Sequence, residues 1–454
     1  MEPAAGICLP DRSAPSPPSS SACIMSSSLP QQVDVAIIGG GIIGISTAWA
    51  LSRAGQRVAV FEKGILAGEQ SSRNWGWIRS IGRDPAELPL AHRANSLWRE
   101  IQQQVNVGYR QIGLAYLGEN ATDQAGLRTW LDSAREHPTG AHLLTGEAVR
   151  KILAEPSTRP WTSALHSAED GVAEPHLATA GIAQLARAAG CQIFEQCAVR
   201  GLDTANGHTA GVITEFGRVA ADRVVLAGGA WSRLLCGNTG IFLPQLKVHG
   251  SALRTTPLPS GLDLAINGKD FTCRPRADGG YTVSKLAASV ADVTPDSIRL
   301  LRHFFPAWMA QRQNLNIRFG RRFFEELFTP TRFPLDRPTP FEKNRTLDPG
   351  PNTNSVFAAL RQLQRAFPVF GGAQVVQAWG GMMDVTPDAL PVISAVDSLP
   401  GFFIGTGFSG HGFGIGPAAG ELLAQLVQGI APTVGHHAFR LSRFRGWRGD
   451  ATSQ

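Results

Sequence analysis

Lysine is scarce in this chain: only six of its 42 Lys+Arg residues are lysine, so arginine carries the positive charge. The net excess is +6 over 454 residues, and no basic stripe with interleaved aromatics accompanies it. That pattern argues against a nucleic-acid partner. The densest basic stretch, Arg440, Arg443, Arg445 and Arg448, reads as a solvated last segment packing Phe439, Phe444 and Trp447. Cysteine is also sparse. None of Cys8, Cys23, Cys191, Cys197, Cys236 and Cys273 forms C-x-x-C, which excludes the usual zinc and thioredoxin-type spacings, and no metal site is expected. Such sparse use suits a reducing, cytoplasmic compartment. No run of about 18 apolar residues exists, so no helix is expected to span a membrane, while peripheral contact with its inner face stays open. Fifty glycines and thirty prolines show no G-X-Y period and no fixed repeat.

What is present is a folding composition: 43% hydrophobic and 17% charged residues. Length sets a prior of two to three domains. Residues 1–32 are rich in Ser and Pro and lack both the basic-then-apolar order of a secretory signal and the Arg-rich amphipathicity of a transit peptide. They are expected to form a disordered tail, with Met25 as an alternative start.

Order begins at Val33. Val33–Ile38 is a short apolar run ending in glycines, as a buried parallel strand does. Ile42–Ala54 has helical spacing, Gly55 stands at the C-cap position, and Arg57–Glu62 is a second strand. The turn between the first strand and the helix is Gly39-Gly40-Gly41-Ile42-Ile43-Gly44, a G-x-G-x-x-G. Gly39 permits the tight turn, Gly41 lets a pyrophosphate approach the backbone, and Gly44 lets helix and sheet pack closely. The helix N-terminus offers free N–H groups to the anion. Glu62, about twenty residues on, can accept from a ribose diol. Together these predict a bound dinucleotide.

Two more glycine-terminated strands follow, Ala221–Ala227 before Gly228-Gly229 and Phe402–Gly405, the latter with a helix over 418–428. Segments 86–164 and 246–374 differ, with alternating strands such as 280–284 and helices such as 293–310. The expected organisation is one discontinuous domain (33–85, 165–245 and 375–444) interrupted by a second (86–164 and 246–374).

Three blocks choose between dinucleotides: Ser71-Ser72-Arg73-Asn74-Trp75-Gly76, Thr386-Pro387-Asp388, and Phe408-Ser409-Gly410-His411-Gly412-Phe413. At these residues, and from about Val33 to Phe444, the chain resembles the FAD-dependent D-amino acid oxidase superfamily, which includes glycine oxidase, sarcosine oxidase and bacterial D-amino acid dehydrogenases. The resemblance implies an α/β fold: a Rossmann-like FAD-binding domain with a second α+β substrate domain built on an antiparallel sheet. It implies that Gly39, Gly41 and Gly44, with Ile42 and Ile43 at the helix start, hold the pyrophosphate, and that Glu62, beside Lys63, holds the ribose. Ser71, Arg73, Asn74 and Gly76 would serve the phosphate and flavin regions. Val199 would read the adenine, Gly228 and Gly229 would pass close to the cofactor, Met382 and Met383 would pass the ring, and Gly410, His411, Gly412, Phe413 and Gly414 would cover its pyrimidine end. Gly405-x-Gly407-x-x-Gly410 is formally a second G-x-G-x-x-G, but no acidic strand follows it. A helix N-terminus beside the flavin is the better reading, with Gly407 in the cofactor set.

The resemblance further implies oxidation of a C–N bond next to a carboxylate, by hydride transfer from substrate Cα to flavin N5, giving an imine that hydrolyses to an oxo acid. The substrate expected is a D-amino acid or an N-alkylated amino acid. A carboxylate suits an arginine fork. Arg79 is the first candidate, against a surface arginine, and Arg276 the second, against a hairpin arginine, with Arg83 and Lys285 behind them. His411 is either a loop residue near the ring or a base. His249, Trp75 and Trp77 either line the site or pack the core. Two departures stand out: no lysine occupies Tyr281-Thr282-Val283, and no arginine flanks Met382-Met383. The first favours a dehydrogenase passing electrons to a quinone or an electron-transfer partner over one using O2. Both motivate an alternative, a noncatalytic or electron-relaying FAD-fold subunit of a heteromeric dehydrogenase. With no cysteine placed for attachment, noncovalent FAD is expected.

Overall fold

The computed structural model describes residues 29–447 apart from 138, 260, 286–288 and 312–314. Most of the expected N-terminal tail, with Cys8 and Cys23, and also Arg448 lie outside the described residues.

The opening strand, Gln32–Ile38, is flanked by two parallel neighbours, Gly217–Leu226 and Val58–Phe61. Gln192–Phe194 extends the sheet beyond Val58–Phe61, and Phe402–Thr406 and Val392–Ala395 extend it on the other side. The strand is apolar on both faces because both are covered. Val35 and Ile37 join a core formed with helices Ile42–Arg53, Leu88–Gln104, Pro175–Ala188 and Gly412–Gln428, while Ala36 and Ile38 face the opposite core with Val199, Leu202 and Val212. The helix Ile42–Arg53 stops at Ala54, and Gly55 continues at φ +80°, a turn that glycine makes without strain.

The second sheet has ten strands among the described residues. Leu246–Thr255 pairs antiparallel with Tyr281–Ser284, Ser289–Asp292 and the long strand Val375–Val385. The sheet is mostly antiparallel. Its two parallel pairs are Leu114–Gly118 with Ala265–Asn267, and Ser289–Asp292 with Leu315–Arg318.

Some boundaries differ from expectation. Residue 165 falls inside Ser163–Ser167, which pairs with Leu114–Gly118, and Val375–Val385 also belongs to the large sheet. A short strand carries no signal of which sheet it joins, because its pairing is a tertiary property. The helix expected over 293–310 is two, Pro295–Arg299 and Leu301–Gln311, split at Leu300. The helix expected from 418 starts at Gly412, with Pro417 inside it, so its Gly/Pro-rich first turns read as loop in the sequence. Phe439 and Phe444 are buried, as the closing segment required. Among the described residues, no helix is long and apolar enough to cross a membrane.

Candidate active site

A cavity of about 1170 Å³ runs from the glycine turn, past the strand Val375–Val385, to the helix Leu301–Gln311. At the glycine turn, Gly39 has φ +109°, and a Cβ there would overlap the carbonyl of Ala227. A Cβ on Gly41 would stand 3.1 Å from Ser71 Oγ, and one on Gly44 would overlap the carbonyl of Gly39. Gly39, Gly41, Ile42 and Ile43 line the cavity, whereas Gly44 lies outside the lining and is the helix–strand contact. Ile42 N–H donates to Ser71 Oγ (2.9 Å), so this serine sits at the helix N-terminus. Glu62 accepts from Gly40 N–H and Gly64 N–H, both at 2.7 Å. Burial pushes its carboxyl above the usual range, against the pull of those two bonds.

Asn74 shapes the next turn: its Oδ1 accepts from Gly76 N–H (2.7 Å) and its Nδ2 donates to Ser71 O (2.8 Å). A strap from far along the chain, residues 344–348, crosses this region. Lys63 Nζ donates to the carbonyls of Asn344 and Arg345 (2.9 Å each) and to Glu69 (2.7 Å). Leu347 N–H donates to Glu69, Arg345 pairs with Glu215, and Arg73 pairs with Asp348 while donating to Gly68 O. Val199, Gly228 and Gly229 complete this end of the lining.

Toward the other end, Met383 lines the cavity and Met382 does not. Successive strand residues point to opposite faces, so only one could. The Met382 sulfur instead meets Arg322 Nη1 at 2.7 Å, beside a separate cavity of about 450 Å³ that His249 lines. Asp384 is buried and gathers Gln245 Nε2 (3.1 Å), Thr406 Oγ1 (2.9 Å) and Gly407 N–H (2.6 Å). Gly407 thus braces the wall from outside the lining, while Gly410, His411, Gly412, Phe413 and Gly414 line it.

The arginines separate. Arg79 lines the cavity, with one Nη1 bond to Ile81 O and its guanidinium 5.8 Å from the Tyr116 ring centroid. Arg83 also lines it and is only 3% exposed. It donates to the carbonyls of Arg79 (3.4 Å) and His411 (3.2 Å), and its Nη1 is buried with no hydrogen-bond partner. Burial, with the charge of Arg79, lowers its pKa to about 10, so it stays cationic. Arg276 is outside the lining, its guanidinium engaged by Asp278 at 3.1 Å and near Glu174 at 3.9 Å. Its hairpin position put it near the right sheet, but the turn turns it to its own neighbours. Lys285 is on the wall, 3.7 Å from Asp270. Trp75 and Trp77 line the cavity edge to face, centroids 5.4 Å apart.

Three features had little or no weight in the sequence. Arg83 ranked low because nothing local reports its burial. Glu87, with Glu174 and its bidentate partner Arg274 (2.8 and 3.1 Å), gives no local signal, since burial of a charge is a tertiary fact. The 344–348 strap lies in a stretch with no motif.

The model of the family described as FAD dependent oxidoreductase (DAO) matches residues 34–426. This chain belongs to the DAO family of FAD-dependent oxidoreductases. Glycine oxidase of Pseudomonas aeruginosa is 24% identical over 88% of the chain and 96% of that protein. Sarcosine oxidase subunit beta of Rhizobium meliloti is 25% identical over 93% and 91%. The solved L-amino acid deaminase of Proteus myxofaciens, in complex with anthranilate, superposes with a TM-score of 0.88 at 34% identity, over 92% of this chain and 94% of that one.

FAD is the cofactor of this DAO-family chain, and the cradle fits it. A side chain larger than hydrogen is excluded at Gly39 and crowded by Ser71 at Gly41, a helix N-terminus opens behind them, and a carboxylate stands at the next strand end. Ser71 and Glu62 line one end of a cavity whose wall continues past Met383 to His411.

Proposed function

We propose that this enzyme oxidises the Cα–N bond of an α-amino acid, whose carboxylate is held by Arg83 and Arg79. The single observation that carries this is two arginines on the cavity wall, Arg79 and the 3% exposed Arg83, whose hydrogen bonds among the described residues go to backbone carbonyls and not to a carboxylate. Two guanidinium groups without an ionic partner on one wall favour a bound anion, and a carboxylate fits the guanidinium fork. The likeness to an L-amino acid deaminase at 34% identity supports a primary L-α-amino acid in place of the D- or N-alkylated substrate that the resemblance implied. The products are then a 2-oxo acid and ammonia.

In this reading, Arg83 and Arg79 fix the carboxylate and so fix the Cα–H relative to the ring, while Trp75, Trp77 and Met383 keep water from it. Bound FAD supplies the hydride acceptor. Glu62, Ser71, Asn74 and Gly76 are the proposed cofactor contacts, and no cysteine is among the lining residues, which supports noncovalent binding.

A quinone or electron-transfer partner is the proposed acceptor. Peripheral membrane contact goes with it: of fifteen exposed large hydrophobic residues among those described, nine lie between Ile298 and Phe328, where several others line the cavity mouth. Anaerobic mixing with panels of L-, D- and N-methyl amino acids tests the reading. Bleaching of the oxidised-flavin band by L-amino acids is expected. No bleaching by any amino acid, amine or hydroxy acid would favour the electron-relaying subunit.

A further inference from the structure

Glu87 stands at the start of the helix Leu88–Gln104, 1% exposed, and neither carboxylate oxygen has a hydrogen-bond partner. Its Oε2 lies 3.6 Å from His411 Nδ1. His411 lines the cavity with its side chain 27% exposed; Nδ1 is buried on the Glu87 side, whereas Nε2 is not among the buried unpaired atoms, so Nε2 is the nitrogen left to meet a ligand. His411 is also the N-cap of the helix Gly412–Gln428, and its carbonyl accepts from Arg83 Nη2. Carboxylate, imidazole and guanidinium therefore meet at one corner of the cavity, next to the proposed carboxylate clamp.

We propose that Glu87 and His411 form a carboxylate–imidazole dyad in which His411 Nε2 takes a proton from the substrate ammonium, while Glu87 orients the ring and balances the charge it gains. This rests on the amino acid reading above. The step balances simply. The N–H bond of the ammonium breaks, its electron pair stays on nitrogen, and the proton moves to Nε2. The freed lone pair then forms the C=N bond as the Cα–H pair leaves as hydride to the two-electron acceptor that bound FAD would supply. An ammonium has no lone pair to give, so a proton acceptor must precede the transfer. Glu87 is a positioning residue, since it does not line the cavity.

The surrounding charges agree with that division. Burial and then Arg83 push the His411 pKa down, so the ring is neutral and ready to accept. Burial alone would raise the Glu87 carboxyl, but contact with His411 and the charges of Arg83 and Arg79 outweigh it and hold it anionic. Those are the charged groups facing the dyad. Asp170 lies behind them, accepting from Ser80 and Ile81 N–H.

The test is the pH dependence of the limiting rate of anaerobic flavin reduction, with flavin content checked by the visible spectrum. Wild type should lose rate as pH falls and His411 protonates. Glu87→Gln keeps the shape and removes the charge, so that limb should move to lower pH and the plateau fall about tenfold. His411→Gln should abolish the limb and lower the plateau about a hundredfold, the lower end of general-base effects. An unshifted limb in Glu87→Gln, or a wild-type profile in His411→Gln, overturns the proposal. Should either variant lose flavin, wild type alone decides. With a substrate whose ammonium is more acidic, a limb that stays in place supports His411 and one that follows the amine overturns it. If wild type reduces flavin with no amino acid at all, the functional reading has failed rather than the dyad.

Discussion

Arg274 and Glu174, one hundred residues apart in the chain, meet in a doubly hydrogen-bonded pair in which both side chains are 1% exposed. The same guanidinium donates to the carbonyl of Trp75 (2.6 Å), and a Cβ on Gly76 would stand 2.9 Å from its Nη2. The pair therefore fixes the turn that carries Trp75 and Trp77 into the cavity.

Glu174→Gln leaves Arg274 buried without its counter-charge, and breaking such a pair costs about 3–5 kcal/mol. A lower melting temperature and weaker flavin retention are expected, read by thermal melts followed through flavin fluorescence. The pH dependence has a definite sign. Burial raises the Glu174 carboxyl, but Arg274 outweighs it and brings the pKa down to about 2 from 4.5. A carboxylate depressed on folding contributes stability that is full above its unfolded value and is lost as pH falls from about 4.5 to about 2. Wild type should lose stability through that window, and Glu174→Gln should lose less.

Arg83→Met and Arg276→Met separate the two candidate clamps. Charge-assisted hydrogen bonds contribute about 1.5–3 kcal/mol, so Arg83→Met should lower kcat/KM by roughly ten- to a hundredfold, mostly through KM. Arg276→Met should change kcat/KM by less than about threefold, because that side chain is outside the cavity lining. Equal losses in both would remove the assignment of the carboxylate to Arg83.

Met383→Leu and Met382→Leu should differ in the spectrum. Met383 lines the cavity and touches the Gly410 turn, so its replacement should shift the visible bands of bound flavin. Met382→Leu, on the far face, should leave the spectrum alone and cost less than about 1.5 kcal/mol in a denaturant melt.

Arg345→Ala removes the pair with Glu215 and the bond to the Lys63 carbonyl. The strap would lose one of its anchors, and flavin should dissociate about three- to tenfold faster, as charge-assisted pairs of this kind predict. Release into a flavin-binding scavenger protein measures it. An unchanged rate would mean the strap does not restrain the cofactor.

The cradle was legible in the sequence because its chemistry is local. Gly39 and Gly44 are fixed by close approach of backbone and Gly41 stands against Ser71, so the motif between a strand and a helix, with Glu62 ending the next strand, locates the turn. The Met382–Met383 pair was legible only as a place, since neither residue declares its face until the strand's pairing with Leu246–Thr255 fixes it. The corner proposed to hold the substrate was the least legible. Arg83, Glu87 and Glu174 differ from surface residues of the same type only in burial, and burial is decided by elements far away in the chain.

The strap has a temporal meaning as well. Lys63 and the carbonyl of Asn344 that it holds are 281 positions apart. Synthesis runs from the N-terminus, and early regions fold as they emerge. A ribosome thus delivers the turn at Lys63 long before the residues that cross over it, and this wall of the cavity belongs to the finished polypeptide alone.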